Sequence, residues 1–255
     1  MIVGIGTWRG TGATTTALAV ASSLVSLGHR PWLVEADPAG GVLAARLPRR
    51  TVVAGRLESV AFPDHSFGVD PAERLRAVAT EVAGMRIVTA PGDPFRAWAC
   101  HTPRQPWAPA LRDLDGPVLV DLGRLRGGTP VGEVLRQLDL LVLVTDSDAV
   151  SVTTAADWAT ALGRVAPLDT PLALDITRFV VVDTPDALDR VARADAEAEL
   201  GHRLVGWLPR EPEAVRALYD HVPLHDRRLR RFGYAPAAQH LADRLLRLAG
   251  DQAAA

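Results

Sequence analysis

The sequence predicts an α/β fold of three layers, in which helices cover both faces of a mostly parallel, twisted β-sheet. Short, continuously apolar runs alternate with longer helical stretches along the 255 residues. Apolar runs of this kind are typical of strands that are buried on both faces. Their alternation with helices favours βαβ units with right-handed crossovers, and therefore a parallel sheet.

The predicted elements form a single domain over residues 1–249, followed by a frayed tail over residues 250–255. The strands are apolar, β-branched runs, namely Met1–Ile5, Pro31–Ala36, Arg86–Ala90, Pro117–Leu122, Leu140–Thr145, Arg178–Asp183 and Arg203–Leu208. The helical stretches between and after them are Thr14–Leu27, Pro71–Ala83, Pro130–Leu138, Ser151–Gly163, Pro185–Glu199, Glu211–His221 and Pro236–Ala249. The segment Gly92–Pro109 is rich in proline and tryptophan, which predicts a long irregular excursion.

The composition excludes several classes of protein. With 48% hydrophobic residues and a formal net charge of -2, the chain is unlike an intrinsically disordered protein. No stretch approaches the roughly 20 continuous apolar residues that a membrane span needs. The opening residues show no basic region followed by an apolar block, so we expect no secretory signal. The composition favours a cytoplasmic globular protein.

The basic residues restrict the chemistry that this chain can perform. All 28 of them are arginines, so the chain contains no lysine. Any mechanism that needs an ammonium group from a lysine of this chain is therefore excluded. The single cysteine, Cys100, cannot form an internal disulfide, and we find no Cys/His spacing that predicts a metal site.

The first strand-to-helix turn carries a candidate anion site. Glycines at Gly10 and Gly12 stand just before an apolar helix, and threonines follow them. Glycines in such a turn let backbone N–H groups converge on an anion, and the helix N-terminus adds partial positive charge. A hydroxyl at Thr14 or Thr15 is placed to bind a magnesium ion. The alternative is a tight turn that needs glycine and a threonine cap.

This turn resembles the P-loop of the ParA/MinD superfamily, the deviant Walker ATPases of the SIMIBI class, which reads Lys-Gly-Gly-x-Gly-Lys-Thr-Thr. The resemblance implies a nucleotide-binding set of Gly10, Thr11, Gly12, Ala13, Thr14 and Thr15, with Thr14 on magnesium. The P-loop lysine falls on Ala13, and the signature lysine falls on Trp8, beside Arg9. The chain therefore looks like a degenerate member, similar to the TadZ/CpaE-like branch, in which the loop is also atypical.

Two further segments resemble motifs of the same family that hold magnesium. Asp37, which precedes a proline after the second strand, matches the aspartate of switch I that positions magnesium and the attacking water. The strand Val118–Asp121, followed by Leu122 and Gly123, resembles Walker B, so the resemblance implies Asp121 near magnesium and the Gly123 N–H near the terminal phosphate. Each motif also has an ordinary interpretation, as a turn or as a strand terminator.

Two segments near the C-terminus match the part of the family that surrounds the base. Asp183 ends a strand where the family often has an asparagine that reads the base. Pro209 lies in a Gly-x-Leu-Pro stretch that resembles the family segment beside the adenine. The resemblance therefore implies ATP or ADP, with Mg²⁺, as the ligand.

The absent lysines determine which function the resemblance implies. A lost charge at the phosphates slows hydrolysis more than it weakens ground-state binding. The implied function is a nucleotide-gated localisation or partitioning protein that dimerises and binds a protein of a partitioning, division or secretion system. Whether it is an enzyme stays open. The first alternative is a slow ATPase in which Arg9 replaces the signature lysine, and acts with Asp37.

The second alternative is a nucleotide-independent adaptor that binds DNA or a membrane. The densest basic run supplies its contacts, through Arg227, Arg228, Arg230 and Arg231. Arginines in such a run hold DNA without sequence preference and with a steep salt dependence. The last helix has leucines at helical spacing, which is compatible with a membrane helix or with packing on the sheet. These alternatives add the nucleoid or the membrane to the predicted cytoplasmic location.

Overall fold

A β-sheet lies at the centre of the fold. The computed structural model describes residues 1–48, 55–63, 69–102, 105–126, 128–155, 157, 175–229 and 231–254. Within them, eight strands run in the order β3-β4-β2-β5-β1-β6-β7-β8. The strands are β1 Ile2–Thr7, β2 Trp32–Glu35, β3 Thr80–Val82, β4 Met85–Val88, β5 Val118–Arg124, β6 Leu140–Asp146, β7 Thr177–Val182 and β8 Leu204–Leu208.

Helices pack on both faces of this sheet. In chain order they are α1 Ala13–Ser26, α2 Leu57–Ala61, α3 Pro71–Val78, α4 Pro94–Ala99, α5 Trp107–Ala110, α6 Gly132–Leu135, α7 at 149–155, α8 Arg193–Leu200, α9 Pro212–Tyr219 and α10 Tyr234–Ala254. Side chains of the central strands alternate between two cores, as the period of a strand requires. Val3 packs with α1, α9 and α10. Ile2 packs with the helices of the opposite face.

The predicted three-layer fold and its mostly parallel sheet are confirmed. All strand pairs are parallel except β3 with β4, which run antiparallel. The sequence prediction missed β3, because it continued a helix to Ala83. The helix ends at Val78, and a hairpin turn over Ala83 and Gly84 follows, with φ of 48° and 82°. Two residues with positive φ form the turn that suits a tight hairpin.

Other predicted boundaries are corrected by local hydrogen bonds. The segment Gly92–Pro109 contains α4 and α5, and α4 begins because the Asp93 carboxylate accepts the Phe95 N–H at 2.8 Å. The helix predicted from Pro185 begins only at Arg193. The preceding residues instead bond to the end of β6, where the Val191 N–H donates to the Ser147 carbonyl at 2.7 Å.

The remaining helices differ from the predictions mainly in length. The helix predicted over 130–138 is limited to α6, and the last helix runs on to Ala254, past its predicted end at Ala249. The predicted helix over 151–163 lies partly outside the described residues. In the part of the chain that the structure describes, no helix has both the length and the apolarity needed to cross a membrane.

A buried histidine makes the stability of this fold sensitive to acid. Burial lowers the pKa of His101 to about 4, although a hydrogen bond to the Ala36 carbonyl opposes this. Its ring lies edge-on to Trp107, with 5.5 Å between ring centroids. The unfolded chain binds the proton with a pKa of about 6.5. Protonation therefore favours the unfolded chain as the pH falls from about 6.5 to about 4.

We expect His101→Gln to remove this acid-sensitive contribution, which amounts to about 3 kcal/mol because the pKa falls from about 6.5 in the unfolded chain to about 4 in the folded one. The measurement is urea unfolding of both proteins at pH 7.5 and pH 4.5. The free energy of unfolding should fall less between these values for the variant than for the wild-type chain. An equal fall in both proteins would show that His101 is not responsible.

Candidate functional site

The carboxyl ends of the central strands bring the candidate residues to one edge of the sheet. Strand β1 lies between β5 and β6, and β2 follows on the far side of β5. The loop after β1 is therefore flanked by the end of β5 on one side and by the end of β6 on the other. Parallel α/β sheets bind their ligands at this edge.

The loop and the start of α1 form an open cradle, which we define as Gly10–Thr15. Gly10 and Gly12 have φ of 96° and 60°, values that residues with a side chain rarely adopt. A Cβ atom added to Gly12 would have no neighbour within 4 Å, so the space over this residue is open. No side chain among the described residues caps α1. Its first N–H groups therefore face this space without a side-chain partner.

Two anchors hold the cradle in place. The Thr11 N–H donates to the Thr7 hydroxyl at 3.1 Å, and the Thr11 hydroxyl donates to the Asp146 carboxylate. On the other side, the Thr15 hydroxyl and the Tyr219 hydroxyl are 2.7 Å apart. Ala13 is only 4% exposed and belongs to the core beside α1, and its methyl group brings no charge to the cradle.

The two predicted aspartates lie beside the cradle. Gly123 has a φ of 59°, and a Cβ atom there would overlap the Asp37 carboxyl group, so the two residues are in direct contact. Burial raises the pKa of Asp37, and the Ala39 N–H and the charge of Arg124 oppose this. Asp121 Oδ1 accepts the Gly123 N–H at 3.0 Å.

Asp121 is fully buried, which is unusual for a carboxylate. Burial raises its pKa to about 7; the Thr14 hydroxyl opposes the shift, and the charge of Glu35 adds to it. Its Oδ2 atom has no hydrogen-bond partner among the described residues. A buried carboxylate oxygen without a partner is costly, which indicates that something outside the chain completes its environment.

These residues fit a magnesium ion. Mg²⁺ prefers oxygen ligands and keeps several waters, so one or two carboxylates and a hydroxyl suffice with phosphate oxygens. The free Oδ2 of Asp121, the carboxyl group of Asp37 and the hydroxyl of Thr14 supply that donor set. Among the described residues no cluster of three or more His, Cys, Asp or Glu side chains could hold a metal ion alone.

Glu35 is a site residue that the sequence prediction missed. It is 1% exposed, and its carboxylate accepts the N–H groups of Val42 and Leu43 at 2.6 and 2.8 Å and that of Ala90 at 3.0 Å. Glu35 therefore ties the loop after Asp37 to the end of the sheet. The sequence signal was its position, one residue before the end of the strand predicted over Pro31–Ala36 and two residues before Asp37.

Two cavities open on either side of the cradle. The Asp37 cavity, of about 620 Å³, is lined by the cradle, Asp37 and Gly123, and also by the side chains of Arg46, Arg124 and Tyr219. The Asp146 cavity, of about 410 Å³, is lined by the cradle and by Asp146, Thr184 and Pro209. Gly10, Gly12 and Thr15 line both, so one elongated ligand could lie across the cradle with an end in each cavity.

The residues predicted near the base have different surroundings. Pro209 lines the Asp146 cavity, as a residue beside the base should. Asp183 is instead held by Arg190 through two hydrogen bonds, of 2.9 and 2.8 Å, and does not line this cavity. Asp146, which accepts the Thr184 hydroxyl at 3.1 Å, and Asp148 are the carboxylates that line it.

Among the described residues, the other predicted arginines do not line the two cavities beside the cradle. Arg9 donates to the Ser151 hydroxyl at 3.2 Å and lies 3.6 Å from Asp148, and it lines neither cavity. In the basic run, Arg228 is paired with Asp226 at 3.0 Å and Arg231 with Glu213 at 3.3 Å. Arg227 is exposed, and Arg230 lies outside the described residues.

A scan against protein-family models finds no match to this chain, and neither does a search of curated proteins. Solved structures do match. The cell division ATPase MinD of Pyrococcus furiosus has a TM-score of 0.74 and 17% sequence identity, over 97% of this chain and 98% of that chain. The septum site-determining protein MinD of Pyrococcus horikoshii, complexed with Mg-ADP, has a TM-score of 0.73 and 17% identity, over 99% of both chains.

A ParA family ATPase from Chlorobium tepidum also matches, with a TM-score of 0.68 and 15% identity over 96% of this chain and 97% of that chain. The resemblance to the ParA/MinD superfamily in fold is therefore confirmed. The chain has the fold of the MinD and ParA-family ATPases along nearly its whole length.

Proposed function

We propose that this chain is a nucleotide-gated positioning protein of the MinD/ParA type, in which ATP hydrolysis is very slow or lost. The observation that carries the proposal is the open cradle at the start of α1, with Asp37 and Asp121 beside it. This arrangement occurs in a fold whose relatives include a MinD complexed with Mg-ADP. The narrower likeness to the TadZ/CpaE-like branch stays a prediction.

The chain's own groups account for binding better than for hydrolysis. Backbone N–H groups of the cradle and the start of α1 bind phosphate oxygens. Thr14, Asp37 and Asp121 would hold Mg²⁺, which neutralises phosphate charge when it is bound. A charge contact that strengthens in the transition state is worth several kcal/mol. With alanine at position 13, that contact is absent from its usual place in the loop.

A positioning function requires a partner surface. A MinD of Aquifex aeolicus with this fold was solved in a MinC:MinD complex, which supports a protein partner for the present chain as well. Beside the cradle, Trp8 and Val150 are 39% and 54% exposed and line a surface depression with Arg9. We infer that a second copy of the chain binds here when nucleotide is present, and that Arg9 faces that copy.

The two alternative functions have less support. A slow ATPase that uses Arg9 would need this side chain to leave Ser151 and Asp148. An adaptor that uses the basic run would need arginines whose charge is not already neutralised, yet Arg228 and Arg231 have acidic partners. Location in the cytoplasm, on the nucleoid or at a membrane stays part of the proposal.

Calorimetric titration of the purified chain with ADP and ATP, with Mg²⁺ or with EDTA, tests the proposal. We expect nucleotide binding that Mg²⁺ strengthens. In Thr14→Ala the affinity in the presence of Mg²⁺ should fall about tenfold, since a hydrogen bond or ligand to a charged group is worth roughly 1.5 kcal/mol. The matched control is Thr102→Ala, because Thr102 is an exposed threonine whose hydroxyl bonds, among the described residues, to the nearby Ala99 carbonyl and Gln105 side chain and not to the cradle.

Two results would contradict the proposal. One is the absence of any nucleotide binding by the wild-type chain, which would leave only its fold in common with the ATPases. The other is ATP turnover of about 1 per second or more, an ordinary enzyme rate. Light scattering with and without ATP tests the dimer separately.

A further inference from the structure

The cradle lacks a cation of its own. Ala13 stands where the resemblance to P-loops implies a lysine, and the chain has no lysine elsewhere that could reach it. A nucleoside triphosphate carries several negative charges, which backbone N–H groups neutralise only in part. A bound triphosphate therefore needs another positive charge at the cradle.

Arg124 lies at the edge of the cradle. It ends β5, one residue after Gly123, and is the register partner of Thr7, the last residue of β1. Its guanidinium packs on the backbone of Gly10, because a Cβ atom added there would overlap Nη2 of Arg124. Its charge also acts on Asp37 across the Asp37 cavity, which both residues line.

The backbone around Arg124 fixes this position. The Leu125 N–H donates to the Thr7 carbonyl at 2.9 Å, so the end of β5 is bonded to the residue from which the loop departs. Because Gly10 has no side chain, the guanidinium of Arg124 can lie directly against its backbone. The contact therefore depends on Gly10, whose φ of 96° is a backbone conformation that other residues rarely adopt.

The guanidinium of Arg124 is available to a ligand. Many arginines of this chain are ion-paired, for example Arg30 with Glu81 at 2.7 Å and Arg112 with Asp139 at 2.7 Å. For Arg124, the described residues provide no hydrogen bond and no ion pair, although Asp37 is near. A planar guanidinium offers a fork of donors that matches phosphate oxygens.

We propose that Arg124 replaces the missing P-loop lysine and binds the terminal phosphate oxygens of a polyphosphate group held in the cradle. For the identity of the ligand as a nucleotide, the inference rests on the proposed function. The positive charge of Arg124, the Asp37 cavity and the cradle indicate an anionic ligand independently of that function. The donor thus comes from the end of β5 instead of from α1. The class of ligand is a di- or triphosphate, free or as part of a nucleotide.

The test is calorimetric titration of the full-length chain with inorganic tripolyphosphate and with ADP, each in EDTA and in Mg²⁺. Arg124→Ala and Arg124→Gln are compared with Arg30→Ala, which removes an exposed arginine that is paired with Glu81 and lines neither cavity beside the cradle. We expect tripolyphosphate to bind about tenfold or more weakly to both Arg124 variants, because charge-assisted hydrogen bonds to phosphate are lost. Arg30→Ala should bind within twofold of the wild type.

Thermal unfolding without ligand separates binding from folding. The midpoints of the Arg124 variants should stay within a few degrees of that of the wild type, since the described residues give this side chain no hydrogen bond or ion pair and only its packing on Gly10 and its attraction to Asp37 are lost. Tripolyphosphate binding that is equal in the wild type and in a folded Arg124 variant would overturn the inference. So would a wild-type chain that binds neither probe.

The outcomes also distinguish this inference from the proposed function. Binding of ADP that is unaffected by Arg124→Gln overturns the inference and leaves the proposed function intact. Binding of tripolyphosphate that depends on Arg124, without any binding of ADP or ATP, supports the inference and contradicts the proposed function.

Discussion

Asp121→Asn is expected to raise the free energy of unfolding of the ligand-free chain by about 4 kcal/mol at pH 8. Burial raises the pKa of Asp121 to about 7. The charged form is therefore penalised in the folded state, and this group costs stability as the pH rises from about 4 to about 7. Asparagine removes the charge and keeps the oxygen that accepts the Gly123 N–H.

Urea unfolding at pH 8 and at pH 4 measures this effect. The gain should be full at pH 8 and small at pH 4, where the aspartate is protonated in the folded chain and about half protonated in the unfolded chain. Asp115→Asn is the matched control, because Asp115 is exposed and paired with Arg86, which lowers its pKa. A variant at position 121 that is no more stable than the wild type at pH 8 would contradict this account of the buried charge.

The same substitution should abolish the strengthening of nucleotide binding by Mg²⁺, if the proposed function holds. A buried carboxylate that is unfavourable for folding and favourable for binding a cation is a common compromise at functional sites. The combination of higher stability and lost Mg²⁺ dependence in one variant would be difficult to explain by a purely structural role of Asp121.

Glu35→Ala is expected to lower the free energy of unfolding by about 3–5 kcal/mol, since each buried N–H group left without a partner costs roughly 1–3 kcal/mol. The carboxylate accepts three backbone N–H groups, from Val42, Leu43 and Ala90. The loop that follows Asp37 depends on two of these bonds. Mg²⁺-dependent nucleotide binding should therefore weaken together with stability.

Glu35→Gln is the matched control for this prediction. Its remaining oxygen still accepts the N–H groups of Val42 and Leu43. Its NH2 group faces the Ala90 N–H, and this N–H is the one donor left without an acceptor. We expect a loss of about 1–2 kcal/mol from this one unsatisfied donor. Chemical unfolding of both variants gives the comparison, and equal losses would show that the network around Glu35 does not control the loop.

The overall fold was predictable because strands and helices follow from local patterns. Continuous apolar runs, such as that of β6, identify buried parallel strands, and the paired glycines before α1 identify the turn. The short strand β3 was not predictable in this way. It is three residues long and depends on a hairpin in which Ala83 adopts a positive φ. No periodicity of apolar residues predicts such a hairpin.

The candidate site was predictable only in part. Thr14, Asp37 and Asp121 were identified because they stand at the start of a predicted helix or near the end of a predicted strand, in segments that resemble motifs of the ParA/MinD superfamily. Arg124 was not, because a single arginine after a strand is indistinguishable from a solvated one until the neighbouring strand is known. Asp183 had the right position in the sequence, yet its partnership with Arg190 depends on a turn whose course the pattern does not reveal.

The sequence by itself determined the layers of the fold, the cradle and the absence of lysine from the whole chain. Periodicity, glycine and composition are local properties, and they can be read without knowledge of distant contacts. Only the tertiary structure decided which charges meet at the cradle. Strand order places β5 beside β1, so that Arg124 rests on Gly10 and acts on Asp37. Coulomb interactions depend on distances in space, and only the folded chain sets those distances.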